Sequence, residues 1–130
     1  MEELVTNKWK TEEPLFISKE DERYGYMLKE LKEDGFCESE TWSLGHNIAE
    51  FVLPRLKRFR EIKAGYPMGM TSDSWGDILD KMIFSFEWAL KEDDMTEDYK
   101  SLSYEEKKVC WEKYEEGMKL FSDHMLNLWW

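Results

Sequence analysis

The residues best suited to hold a ligand are two arginines and two aromatics. Arg55 and Arg58 stand three apart in the run RLKRFR. On a helix they share one flank, where paired guanidinium N–H donors could grip a phosphate or carboxylate. Trp42 upstream and Tyr66 downstream would add stacking faces. Together the four suit a nucleotide or another phosphorylated small molecule. The competing reading pairs this basic segment with acidic neighbours such as Asp73, Asp77 and Asp80, giving internal salt bridges and no ligand.

Catalytic chemistry has fewer footholds. Cys37, Cys110, His46 and His124 are spaced like no zinc knuckle or finger. Ser43 and Phe121 stand three before the two histidines, so the Glu-x-x-His pair of di-iron bundles is missing. Both histidines therefore read as structural, and no metal or other cofactor is expected. Cys110 falls on an apolar helical face and Cys37 lacks the signature of a nucleophile. Glu30 with Glu33 and Asp77 with Asp80 each share a helix face, as in all-α nucleoside triphosphate pyrophosphohydrolases that hold magnesium. Glu33 and Asp77 stand 44 positions apart, more than that arrangement uses. Neither GxGxxG nor GxxxxGK[ST] occurs. No catalytic residue is assigned.

These residues need elements to position them, and the hydrophobic period supplies four helices. The first follows Ser18, with Ser18 and Asp21 as a capping box and Tyr24, Met27, Leu28 and Leu31 as its stripe, and ends at Gly35. Before it, Leu15, Phe16 and Ile17 form a short apolar run expected to pack as a strap. The second runs from Ser39 or Thr41 to about Lys63, burying Ile48, Phe51, Val52, Leu56, Phe59 and Ile62. Pro54 interrupts it and predicts a kink, because proline offers no donor to the carbonyl of Glu50. Gly65, Pro67 and Gly69 mark a loop.

The third helix starts at Thr71 or Ser72 and turns Trp75, Ile78, Leu79, Met82, Phe86 and Leu90 inward, with Trp88 also packed. After an acidic loop, Ser103 and Glu106 form a second capping box. The last helix then carries Cys110, Tyr114, Met118, Phe121, Met125 and Leu128. Trp9 and Trp111 read as surface or strap contacts. The expected fold is all-α: a compact four-helix, bundle-like single domain spanning residues 1–130, with residues 1–17 as an extended strap and 18–130 as the bundle. Two tryptophans at the end, Trp129 and Trp130, would be unusual as free tails. At least one is expected to fold back or to fill a partner's groove.

Several segments together resemble a family of small, uncharacterised proteins of tailed bacteriophages and prophages. The resemblance rests on Gly35 and Phe36 preceding SETWSL (39–44), and on IAEFVLPRLKRFREIKAGYP (48–67), WGDILDKMIFSFE (75–87) and EEGMKLFSDHMLNLWW (115–130). It covers about the last hundred residues. Members carry an acidic and an aromatic residue after the tryptophan motif, where this chain has Gly45 and His46. The resemblance implies a phage origin and expression inside a bacterial host, and it brings no activity or site residues with it.

Charge narrows the partners. The formal net charge of the 130 residues is −11, which repels duplex nucleic acid. Only residues 41–70 are net positive, at +3 against −6, −6 and −2 for residues 1–40, 71–100 and 101–130. No apolar run approaches the roughly 18 residues of a membrane span, and two cysteines suit a reducing compartment. The reading is a non-enzymatic phage-encoded protein in the host cell cytoplasm that occupies the surface of a host protein, for instance a component of host defence. The alternatives are a binder of a nucleotide or other phosphorylated ligand, a pyrophosphohydrolase-like enzyme, and a minor virion component. Homo-oligomers are compatible with an isologous contact at Trp129 and Trp130.

Overall fold

The computed structural model describes residues 12–15 and 17–129. Within them the chain is all-α, with no strand and four principal helices, as expected: α1 (Tyr24–Asp34), α2 (Leu44–Ile62), α3 (Ser72–Asp93) and α4 (Tyr104–His124). Residues 1–11 of the strap, Trp9 among them, lie outside the described residues, as do Phe16 and Trp130. Among the described residues no helix is long and apolar enough to cross a membrane. The chain divides into two compact units, Met1–Asn47 and Ile48–Trp130.

The first unit is built on α1. Gly35 ends the helix at φ 86, a left-handed conformation that costs glycine little, and returns its N–H to the carbonyl of Leu31. Met27, Leu31 and Cys37 form a small core, and Ile17 of the expected strap packs against it. A 3₁₀ turn, Glu38–Thr41, follows, held by the Glu40 carboxylate accepting the Cys37 N–H at 2.8 Å. The expected capping box at Ser18 does not form. The Ser18 hydroxyl accepts the N–H of Glu20 and donates to the Glu20 carboxylate, while Asp21 binds the N–H and guanidinium of Arg23. These local bonds build successive turns, and α1 starts only at Tyr24.

The second unit holds the larger core: Ala49, Leu56, Trp75, Leu79, Met82 and Phe86. The central element is α3, capped by reciprocal bonds between Thr71 and Ser74. The Ser103 and Glu106 box starts α4 as the spacing requires. The two helices meet closely at Gly117, where an added Cβ would lie 1.9 Å from Ser85 Oγ and 2.3 Å from the Lys81 carbonyl oxygen. Ser85 crosses this contact and donates to the Tyr114 carbonyl at 2.8 Å. Phe86 and Phe121 meet edge to face with ring centroids 5.1 Å apart. The expected inward stripe of α3 is buried or half-buried throughout.

The stripe expected for α2 is only partly inside. Leu56 is buried and Val52 and Phe59 are half-buried, whereas Ile48, Phe51 and Ile62 are exposed. The side turned to the core instead carries Ala49, which is buried and small enough to let the backbone approach the core. On α4, Met125 is likewise exposed, because the α-helix ends at His124 and a 3₁₀ turn, Met125–Asn127, redirects the chain.

Candidate functional site

Pro54 does not break α2, which runs through it from Leu44 to Ile62. Arg55 stabilises this stretch from outside the ladder. Its Nη1 donates to the carbonyl of Phe51 at 2.9 Å, and its guanidinium lies 3.9 Å from the centroid of the Phe51 ring. The stack is a cation–π contact, and it holds the guanidinium in one place on the solvent side.

The other bases of the helix divide into two groups. Lys57 pairs with Glu87 of α3 at 3.2 Å, and Arg60 pairs with Asp80 at 3.0 Å. Arg60 lies against α3, where Gly76, lacking a side chain, leaves room for the guanidinium. Asp80 first, and the fields of Asp77 and Asp73 with it, hold that guanidinium more firmly charged. The pairing of basic α2 with acidic α3 is therefore realised by these two residues. Arg58 is different: its partner Glu61 stands 3.9 Å away on the same helix, and both are well exposed. Among the described residues Arg55 has no carboxylate partner.

Arg55 and Arg58 thus sit on a face with Ile48, Phe51 and Ile62. Positions 48, 51, 55, 58 and 62 are spaced three and four apart, and at 100° per residue they fall within an arc of about 80°. Ile48 is 48% exposed and Phe51 43%. Sequence reasoning assigned these apolar residues to the core. The signal that could have separated them was this second regular repeat, carrying both arginines where a buried stripe would be apolar.

A second feature lies in the same unit. Ala64, Gly65, Tyr66, Pro67, Trp75, Asn127 and Trp129 line an apolar cleft of about 300 Å³. A tight turn with Gly69 at φ 86 shapes this loop, and Met70 returns its N–H to the Pro67 carbonyl. Tyr66 and Trp129, assigned on sequence to separate roles, share this cleft. Trp129 is exposed and lies along the cleft wall, so one of the two terminal tryptophans does fold back. The arginines are not among the lining residues. Trp42 belongs to the first unit, exposed, with the Arg23 guanidinium 4.9 Å from its ring centroid.

The remaining candidates are used locally. The Cys37 thiol is fully buried and donates to the Met27 carbonyl at 3.2 Å. Burial, then the carboxylates of Glu40 and Glu30, push it up, so the thiolate a nucleophile requires is disfavoured. Cys110 is half-buried beside Leu102, Val109 and two glutamates. His124 meets Trp75 edge-on at 5.7 Å, with Nδ1 3.4 Å from Asn127 Oδ1. Glu30 accepts the N–H of Glu38, and Asp80 is held by Arg60. Trp88 is buried against Tyr99 and the edge of Trp111. Among the proteins compared, no family model, no curated protein and no solved structure matches the chain.

Proposed function

We propose that this chain is a non-enzymatic interaction protein of phage origin that binds a host protein in the cytoplasm of a bacterium through the solvent face of α2. The observation that carries this reading is the exposure of Ile48, Phe51 and Ile62 in register with Arg55 and Arg58. Aromatic and arginine residues grouped among aliphatic ones are the composition of an interface centre. Contiguous exposed apolar residues carry a solubility liability that binding removes. The resemblance to phage proteins supports the setting. The test is affinity capture from bacterial lysate at low and moderate salt. The expected result is enrichment of a specific protein over a charge-matched acidic control at both salts; equal recovery by the control contradicts the reading.

A second reading, small-molecule binding, is favoured by the cleft at Tyr66 and Trp129, whose volume sits at the lower end of ligand pockets. Native mass spectrometry of gently purified protein checks it: a mass excess that vanishes on denaturation supports a ligand there, and its loss in Tyr66→Ala locates it.

A further inference from the structure

We propose that the face of α2 formed by Ile48, Phe51, Arg55, Arg58 and Ile62 seats one amphipathic helix of a partner protein, and that this helix carries carboxylates at the middle of its apolar stripe. The inference rests on the reading that this face binds protein, and it specifies the partner's chemistry.

Geometry selects a helix. The alternation of three and four is the heptad spacing that keeps a seam facing a neighbour crossing at about 20°. The seam is about 21 Å long from Ile48 to Ile62 at 1.5 Å per residue, a length that a partner helix of four turns covers. Its ends are apolar, with Ile48 and Phe51 on one side of the arginines and Ile62 on the other.

Charge selects the middle of that helix. A guanidinium does not shed its proton, so an all-apolar helix laid over this face would enclose Arg55 with no carboxylate and Arg58 with only its loose contact to Glu61, which is strongly unfavourable. A second copy of α2 would bring two more arginines to the same seam. A carboxylate at each central position answers both, and the arginines are ready for it. Arg55 is already fixed by its stack on Phe51 and by its bond to the Phe51 carbonyl, so little side-chain freedom is lost when it pairs. Arg58 has only an exposed, loose contact with Glu61 to exchange. Lys57 and Arg60, held by Glu87 and Asp80, are engaged within the unit and do not compete. The chain as a whole is acidic, but screening over about 8 Å at physiological salt lets this local pair of cations govern the contact.

The test uses two dye-labelled synthetic helices of roughly 18 residues. Both carry leucines at the outer seam positions; one has glutamates and the other glutamines at the two central ones. Fluorescence anisotropy against the full chain is expected to show the glutamate peptide binding about tenfold more tightly. The double variant Arg55→Gln/Arg58→Gln is expected to remove that difference, and Phe51→Ser to weaken both peptides. Equal binding of the two peptides, binding of neither, or discrimination that survives in the arginine variant overturns the proposal. So does self-association in sedimentation that the arginine variant abolishes, since a second copy would then be the occupant. The wider reading fails separately: if the peptides are not distinguished but Phe51→Asp abolishes capture of a host protein, the face still binds protein and only the acidic helix is wrong.

Discussion

Helices α2 and α3 are similar in length and both amphipathic, yet they use their apolar residues in opposite ways. α3 buries Trp75, Gly76, Leu79, Met82, Ser85, Phe86 and Trp88, whereas α2 buries only Ala49 and Leu56. α3 has neighbours on two sides, α4 through Gly117 and α2 through Leu56 and Arg60, so its apolar residues have somewhere to go. α2 turns a narrow stripe inward and keeps a second one in solvent. The difference separates residues that hold the fold from residues left available for a partner.

Substitutions should reproduce that division, beginning with the largest effect. Leu79 is fully buried in α3, and Leu79→Ala is expected to destabilise the protein by about 2–5 kcal/mol, read by urea unfolding with tryptophan fluorescence. A loss under 1 kcal/mol would mean that the core repacks freely around α3. At the α3–α4 contact, Gly117→Ala gains helix propensity but drives a methyl into the Lys81 backbone, which cannot swing aside. A net loss of about 1–3 kcal/mol is expected by the same assay.

Gly76→Ala makes the sharper comparison. There the obstructing atoms are the end of the Arg60 side chain, 2.9 Å from an added Cβ, and a flexible guanidinium can move. The gain in helix propensity and the disturbed Arg60–Asp80 contact nearly offset, so the change in stability should stay within about 0.5 kcal/mol. On the open stripe of α2, Ile48→Ser should also change stability by no more than about 0.5 kcal/mol. A loss comparable to that of Leu79→Ala would place Ile48 in the core and remove the contrast between the helices.

The smallest effect lies in the first unit. The Arg23 guanidinium and backbone N–H hold the Asp21 carboxyl down at about 2, from an ordinary 3.8. A depressed carboxylate value contributes stability above the ordinary value, and that contribution fades as pH falls from 3.8 toward 2. An NMR titration should find the Asp21 midpoint near 2, and Arg23→Gln should move it up toward 3.8.

Much of the fold was legible in the sequence because local chemistry and packing agree there. Ser103 with Glu106, Thr71 beside an apolar period, and Gly35 after Leu31 each name a helix end that tertiary structure leaves in place. Where two local solutions compete, the sequence misled: Ser18 has both a cap and a tight turn open to it, and the turn wins. The α2 stripe misled for another reason. A period of 3.6 residues fits either of two overlapping faces, and only the neighbour decides which is buried. Ala49, too small to weigh in the pattern, marks the buried side because it permits close approach. Of the candidate site residues, Arg55 and Arg58 were placed on one flank from spacing alone. That Tyr66 and Trp129 share a cleft was not legible, since 62 residues separate them and only the folded chain joins the two segments.

The most direct test of the account is quantitative capture of host proteins by wild type and by Phe51→Asp, compared at equal folded concentration. The substitution places a carboxylate four residues before Arg55, a favourable helical pairing, so the variant should unfold at the same urea concentration as wild type. A protein enriched by wild type is expected to fall at least tenfold in the variant, the size of effect that loss of a large aromatic anchor has at an interface. Recovery of the same proteins in the same amounts by both would contradict the claim that the solvent face of α2 is where this protein binds.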